Sequence, residues 1–586
     1  MKSSQPDATS ARLAHRQSRL SAIGLGTVLV VETRSHLDTV ALSHNGSGFI
    51  DSEEAIVNRV KLRFGRAVRV GLRLTAMMSI AVLFGCASLP MHVTRTPSQA
   101  MTAAPTDRLV RTARASAGDG DSFRPLPSSD FSMDARLTLA HLAQSSLDLQ
   151  YYLIQNDVTG RSLMRSVRDA AMRGVRVRIL VDDLYTASSD RMLQGLSAYP
   201  NVEVRVFNPF PAGRSFTATR FLFSAFDFVR INHRMHNKLF IADGAFAIAG
   251  GRNIADEYFF RSKEGNFLDF DVLLAGPSVV SLEHFFDEYW NSRWSYPLTA
   301  LEPPNGDLAR AQAEFENLTG ADPPLSLPGK DDIDAFSGFH ALSADIETPP
   351  ITLLRGGIRV FADNPEKVSG RSDSGDDPMT VTAQVLSAFG TARTSLLLVS
   401  PYFVPSENAV RDIGTLRSEG ISVDIVTNSM AANDEPFVSA AYARYRPALL
   451  RMGVGLYEIS SPELKTSERF RRELGSTIGR SHAKLAVIDD RVVFVGSMNL
   501  DLRSSRLNTE VGLLIDSTEF ANGVTKVVAI VRANGCYRLR LVEPGGHIEW
   551  IGEQGDHDVY TSDPQVDFGT RIELDLLSPL IPGELL

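Results

Sequence analysis

The feature that most constrains this chain is a polar constellation that occurs twice. One copy reads HNKLFIADGAFAIAGGRN and holds His236, Lys238, Asp243, Gly250 and Asn253. The other reads HAKLAVIDDRVVFVGSMN and holds His482, Lys484, Asp489, Gly496 and Asn499. In both, Lys lies at +2, Asp at +7, Gly at +14 and Asn at +17 from the histidine. Four matches at fixed offsets have a chance frequency on the order of one in 10⁵ at ordinary residue usage. Such a repeat predicts two similar folded units.

The flanking sequence fits that prediction. SLDLQYYLI (146–154) and VRVRILVDD (175–183) read as strands, and Leu137–Ser145 and Arg161–Arg173 carry helical periodicity. The order recurs with TSLLLVSPYFV (394–404), a helical stretch near 405–419, SVDIVTN (422–428) and a helix over Pro436–Arg451. Strands alternating with helices predict an α/β class. We therefore expect two lobes, 123–300 and 352–530, each a mixed or largely parallel sheet flanked by helices. A pseudo-two-fold would relate them, with the site between. Residues 301–351, dense in Pro, Gly and Asp, read as a linker. Residues 531–586 form a C-terminal tail whose start (CYRLRLVEP, IEWIG) reads as a hairpin.

Strand geometry turns the repeat into chemistry. Positions i and i+2 share a strand face, so each half presents an imidazole and an ammonium together. Asp243 and Asp489 complete the motif and stand with the catalytic set. Their parity is nevertheless wrong for that face, which suits them to fixing the following turn. The Gly–Asn pair ends the next strand and offers donors to an anion. Two histidines, two lysines and two asparagines, with no cluster of carboxylates, describe a phosphodiester site with no metal and no cofactor. One imidazole attacks phosphorus and the other protonates the leaving alcohol. Water or another alcohol then resolves the phosphohistidine. A histidine nucleophile needs its second nitrogen held by a carboxylate. The strands RLNTEVGLLI and NFLDFDVLLA, laid one on the other, offer Glu510 and Asp269 as the orienting acids.

Two copies of His-x-Lys-x(4)-Asp followed by Gly-x-x-Asn resemble the phospholipase D superfamily. The stretches LDLQYYL, AAMRGVRVRILVDD, MHNKLFIAD, GGRNIADEYF, VSPYFVP, YARYRPALL, SHAKLAVIDD and GSMNLDLRS are similar to bacterial cardiolipin synthases of the lipoprotein-like branch. The resemblance runs from about residue 123 to the C-terminus. It implies phosphatidylglycerol or another phospholipid as donor and a second lipid's alcohol as acceptor. His236 and His482 would be nucleophile and general acid/base. Lys238, Lys484, Asn253, Ser497 and Asn499 would bind the phosphate. The copies differ at Gly251, where the second has Ser497, so the first lacks a hydroxyl there. Phospholipid hydrolysis is the nearest alternative, and cleavage of a nucleic-acid backbone uses the same chemistry. Sixty Lys+Arg against 69 Asp+Glu, a net charge of −9, argue against nucleic acid as partner.

The N-terminal region carries an address. Residues 61–73 (KLRFGRAVRVGLR) are basic, 74–85 (LTAMMSIAVLFG) are uncharged and apolar, and Cys86 follows. That order reads as a secretory signal, and Leu83-Phe84-Gly85-Cys86 resembles a bacterial lipobox. The expectation is a lipid anchor at Cys86 on the periplasmic side of the cell envelope, with the membrane surface as partner. Residues 1–60 remain unassigned and are read as lying upstream of the true start. Residues 87–122, rich in Ser, Thr, Ala and Pro, read as a tether. Lipidation of Cys86 would leave Cys536 without a disulfide partner. A run of phenylalanines from Phe207 to Phe228, with Arg214, Arg220 and Arg230 interspersed or adjacent, suggests either a core segment or an interfacial dip.

Overall fold

The first lobe begins where β-branched and aliphatic runs take up extended backbone. Its strands are β1 (Ser122–Leu126), β2 (Ser146–Tyr151), β3 (Arg176–Asp182), β4 (Val202–Phe207), β5 (Leu239–Ala242), β6 (Phe246–Gly250), β7 (Gly265–Leu268), β8 (Asp271–Ala275) and β9 (Ser295–Pro297). Those that follow are β10 (Leu354–Arg355), β11 (Gly357–Ala362), β12 (Ser395–Val399), β13 (Ser422–Asn428), β14 (Gly455–Ile459), β15 (Ile478–Ser481) and β16 (Leu485–Ile488). The last are β17 (Val492–Gly496), β18 (Val511–Asp516), β19 (Cys536–Val542), β20 (His547–Ile551) and β21 (Val559–Tyr560). This computed structural model describes residues 89–577, apart from 91, 215–216, 225–226, 303–306, 371–376, 467, 469, 471–476 and 553–557. The unassigned 1–60, the signal segment 61–86 and Cys86 lie outside the described residues.

One sheet runs β10-β1-β8-β6-β5-β2-β3-β4-β9, the other β11-β18-β17-β16-β12-β13-β14-β19-β20-β21. From β1 to β4 and from β11 to β14 the succession is identical, as a structural repeat requires. In each, three strands are parallel (β2, β3, β4; β12, β13, β14) and the rest antiparallel, giving mixed sheets. Alternation along each short motif strand feeds a core shared by the two sheets and a core of its own lobe. Leu239 and Ile241 of β5, with Leu485 and Val487 of β16, enter an apolar layer shared by both sheets. Phe240 and Ala242 enter the first lobe's own core, and Ala486 and Ile488 the second's. Phe123 and Phe520 meet across the shared layer with ring centroids 5.0 Å apart. Burying each such side chain contributes ~2 kcal/mol or more, so the lobes are held by the same force that folds them.

Three segments differ from what composition suggests. The tether expected over 87–122 is docked along the first sheet. Arg205 and Arg178 donate to the carbonyls of Thr96 and Ser98, and Asp287 accepts from the Ala100 amide at 2.7 Å. The helix Arg108–Ala117 follows. The expected linker 301–351 contains the helix Leu308–Thr319, whose Phe315 is wholly buried against the first lobe. Small and Pro-rich composition reports the absence of long-range pattern, and buried arginines supply what the segment itself lacks. The tail adds β19, β20 and β21 to the second sheet, the first two paired as a hairpin. In the aromatic run, Phe207 and Phe210 are buried. Arg214 and Arg220 are buried too, paired with Asp183 and Asp190. Phe216 and Phe226 lie outside the described residues. Among the described residues, no helix is long and apolar enough to cross a membrane.

Candidate active site

Each histidine sits in a short extended segment at the edge of a motif strand, His236 just before β5 and His482 between β15 and β16. Hydrogen bonds from backbone amides fix these segments whatever side chains the histidines carry. The residue ahead of each histidine donates its amide to the end of a parallel strand: Met235 to Asp182 Oδ2 and Ser481 to Asn428 Oδ1, both at 2.8 Å. The histidine amides then reach into the opposite lobe. His236 donates to the Thr509 carbonyl and His482 to the Leu268 carbonyl, again at 2.8 Å. The parallel pairing of β15 with β7 and the bridge between Met235 and Thr509 are the two halves of this stitch.

The stitch decides the partnership of the acids. Glu510 follows Thr509, and Asp269 follows Leu268, so each carboxylate lies beside the other lobe's imidazole. His236 Nδ1 is 2.9 Å from Glu510 Oε2, and His482 Nδ1 is 2.7 Å from Asp269 Oδ2. With Nδ1 as donor, Nε2 keeps its lone pair free for the pocket. The two ring centroids are 6.5 Å apart. Lys238 Nζ and Lys484 Nζ each donate to the carbonyl of their own motif histidine at 2.6 Å. Asn253 and Asn499 are buried, and their carboxamide oxygens have no hydrogen-bond partner among the described residues. A carboxamide can offer acceptor or donor, so both retain capacity for a ligand.

Burial dominates the electrostatics. It lowers His482 to about 4, reinforced by Lys484 and opposed by Asp269. Burial and the two lysines hold His236 well below its ordinary value. Lys484 is lowered to about 8 by burial, and Lys238 falls well below its usual range for the same reason. Both imidazoles are therefore neutral near pH 7. The carboxylates are unequal. Burial pushes Glu510 up to about 7, whereas for Asp269 the attraction of His482 and Lys484 outweighs burial and holds it at about 2. An arriving phosphodiester carries the negative charge that these desolvated cations lack, and it raises the proton affinity of every one of them.

Two groups of expected site residues lie elsewhere in function. Asp243 and Asp489 do not reach the pocket. Asp243 accepts from the amides of Gln144, Ser145 and Ser146, and Asp489 from those of Arg393, Thr394 and Ser395. Both have positive φ, 53° and 54°, and close the turn after the motif strand. Asp243→Ala should therefore cost ~2 kcal/mol or more in urea unfolding and leave the KM for lipid unchanged in the folded fraction. Ser497, expected on the phosphate, donates its hydroxyl to Glu510 Oε2 and accepts from the Val511 amide at 3.0 Å. It acts on the acid.

The difference at Gly251 has the same origin. A Cβ there would lie 2.1 Å from Asp269 Oδ1, so the first lobe must have glycine where the second has serine. The shorter aspartate fills the space that the Ser497 hydroxyl occupies beside Glu510. Gly251→Ala should displace Asp269 from His482 and lower turnover ~10-fold or more, while Ser497→Gly has the smaller effect. Rates measured at matched folded concentration check this.

Sequence reasoning did not find Asp182 and Asn428, yet the signal was present. Both lie 54 residues before their histidine, one as the first aspartate of VDD and the other as the last residue of VTN. It also missed the aromatic walls. Tyr152 stands edge-on to His236 at 5.0 Å, and Tyr258 edge-on to His482 at 5.0 Å. These two tyrosines do not repeat between the halves, so no periodicity announced them.

Comparison with known proteins gives the following. A family model described as cardiolipin synthase, PLD-like domain, matches residues 137–290 and 385–529, one stretch in each lobe. Cardiolipin synthase C of Escherichia coli (strain K12) is 35% identical over 474 residues, which cover 79% of this chain and 95% of that protein. A cardiolipin synthase of Geobacillus kaustophilus (strain HTA426) is 27% identical over 382 residues, 64% of this chain and 59% of that one. Among solved structures, the phosphatidylserine synthase of Haemophilus influenzae Rd KW20 superposes with a TM-score of 0.51 at 13% identity, covering 78% of this chain and 93% of that one.

Proposed function

We propose, from the premise that this chain belongs to the cardiolipin synthase family of phospholipase D-like proteins, that it makes cardiolipin by moving a phosphatidyl group from phosphatidylglycerol to the hydroxyl of a second phospholipid. The observation that carries the reading is the crossed arrangement of two neutral imidazoles, each braced by the other lobe's carboxylate, over a floor of two desolvated lysines.

In the first step Nε2 of one histidine forms a bond to phosphorus as the P–O bond to glycerol breaks. The second histidine, protonated at Nε2 once the bound phosphodiester's charge raises its proton affinity, gives that proton to the departing oxygen. In the second step the acceptor hydroxyl loses its proton to that same histidine and attacks phosphorus. The P–N bond breaks and the first imidazole is restored. Lys238, Lys484, Asn253 and Asn499 hold the non-bridging oxygens, where charge grows in each transition state. Asp269 and Glu510 keep the imidazoles in the tautomer the cycle needs. A lipid anchor at Cys86 on the periplasmic side would hold the site at the membrane where its substrates reside. Loss of labelled acyl-chain incorporation in Cys86→Ser tests that part.

The test of the reaction uses purified protein, phosphatidylglycerol vesicles and a chelator, with His236→Ala/His482→Ala as control. Cardiolipin and glycerol in equal amounts are the expected products. Phosphatidic acid in place of cardiolipin would make the protein a hydrolase, and a requirement for added metal would contradict the mechanism.

A further inference from the structure

A cavity of about 450 Å³ opens where the described chain begins, and none of the catalytic set lines it. Leu89, Arg95, Arg230, Arg293, Trp294 and Tyr296 are among its walls. The volume suits a small ligand, and the walls are cationic and aromatic at once. Arg95 lies 4.1 Å over the Tyr296 ring and Arg293 4.9 Å over that of Trp294. Stacking orients a guanidinium by its face and leaves its N–H edge for an anion.

Both stacked arginines keep binding capacity. Arg95 donates through Nε alone, to the Ser295 carbonyl at 2.8 Å, and has no carboxylate partner among the described residues. Arg293 pairs with Glu366, but both side chains are exposed, so the pair is worth little and a phosphate oxygen can displace it. Arg230 is committed to Asp227, Asn208 and the Pro209 carbonyl and only shapes the wall. Trp294 adds an indole N–H that is buried and has no partner among the described residues. A buried indole N–H ordinarily finds an acceptor. Two forked guanidiniums and one orphan donor fit a phosphodiester, whose free oxygens accept from all of them.

Two further observations point to a lipid as the source of that group. Leu89 follows Cys86, the expected point of acylation, by three residues, a reach of at most ~11 Å. Arg230 belongs to the helical turn Phe228–Ile231, where Val229 is 74% exposed and Phe228 37%. Exposed apolar side chains beside arginine, with Trp and Tyr close by, make a surface suited to the headgroup layer of a bilayer. A soluble phosphate ester would leave that apolar pair in water.

We propose that this pocket is a second, non-catalytic site for the phosphodiester headgroup of an anionic bilayer phospholipid, held by Arg95 and Arg293 while Phe228 and Val229 enter the surrounding lipid. The inference rests on the reading that the enzyme acts on membrane phospholipids. The grip is tied to the chemistry by a short, fixed stretch of chain. Arg230 lies six residues before His236, and Asn208 donates to the carbonyls of Arg230 and His233 at 3.0 and 2.7 Å.

The experiment reads the depth of Val229. A fluorophore is attached at Val229→Cys in the full-length protein, with the parent lacking that substitution as background. The protein is added to vesicles of phosphatidylcholine alone or mixed equally with phosphatidylglycerol, each carrying brominated acyl chains as quencher. Emission should be quenched in the mixed vesicles and recover as salt is added. Arg95→Gln/Arg293→Gln should weaken the quenched state on mixed vesicles ~10-fold or more and leave the result on phosphatidylcholine unchanged. Turnover of a short-chain phosphatidylglycerol dispersed as monomers should be the same in this variant as in the parent. No quenching in the mixed vesicles, or quenching that the arginine variant leaves unaltered, overturns the inference. So does a variant that loses as much turnover on the dispersed donor as it loses quenching, since the arginines would then serve the fold or the reaction. A parent that quenches normally and forms no phosphatidyl product removes the transferase reading and leaves the headgroup site standing.

Discussion

Alanine at His236 or at His482 is expected to lower phosphatidyl transfer from phosphatidylglycerol by ~10³-fold or more, because each ring performs a step no neighbour can take over. The fold should survive with a modest fall in melting temperature. Each substitution strands one buried carboxylate, Glu510 or Asp269, which costs ~1–3 kcal/mol. Equal loss in both variants says only that both rings are needed. A phosphatidyl donor with a p-nitrophenyl leaving group separates them, since the phenolate departs without a proton. His482→Ala should recover most of its rate on that donor and His236→Ala should recover none. The reverse pattern would exchange the two roles.

Asp269→Asn and Glu510→Gln should each lower turnover by ~10²–10⁴-fold, with Asp269→Asn also changing the pH profile. The sign follows from the pair. Burial lowers His482 to about 4, and the charge on Asp269 is what keeps it from falling further. Removing that charge lets the imidazole titrate lower still, so the acid limb of the rate–pH profile moves to lower pH. A purely structural disturbance would shrink the rate and leave the limb where it was. Stability has its own signature. Asp269 is held at about 2, below the ordinary value of a free carboxyl. The folded state therefore gains from its ionisation above ~pH 4 and loses that gain as pH falls toward 2. Asp269→Asn should show no such term in acid titration of the unfolding free energy, although the buried His482 contributes its own loss of stability below ~pH 6.5 in both proteins.

These expectations depend on facts of different origin. The duplication, the α/β class, the pairing of His with Lys and the candidacy of Glu510 and Asp269 were legible in the chain, because each is a matter of offset or strand parity, and both are local properties. The turn-closing role of Asp243 and Asp489 followed from parity too, against the motif's own suggestion. Sequence could not say that Glu510 serves His236 and Asp269 serves His482. That pairing is fixed by the β15–β7 ladder and by the amides of His236 and His482 reaching the opposite lobe, contacts between residues more than 200 positions apart. Nor could it turn Ser497 away from the phosphate, since a hydroxyl bonds to whatever the docked sheets place nearest. The chain determined which groups face a common side of each strand. Only the burial of one apolar layer between two sheets decided which group meets which, because hydrophobic association brings distant segments together without leaving a periodic mark on either.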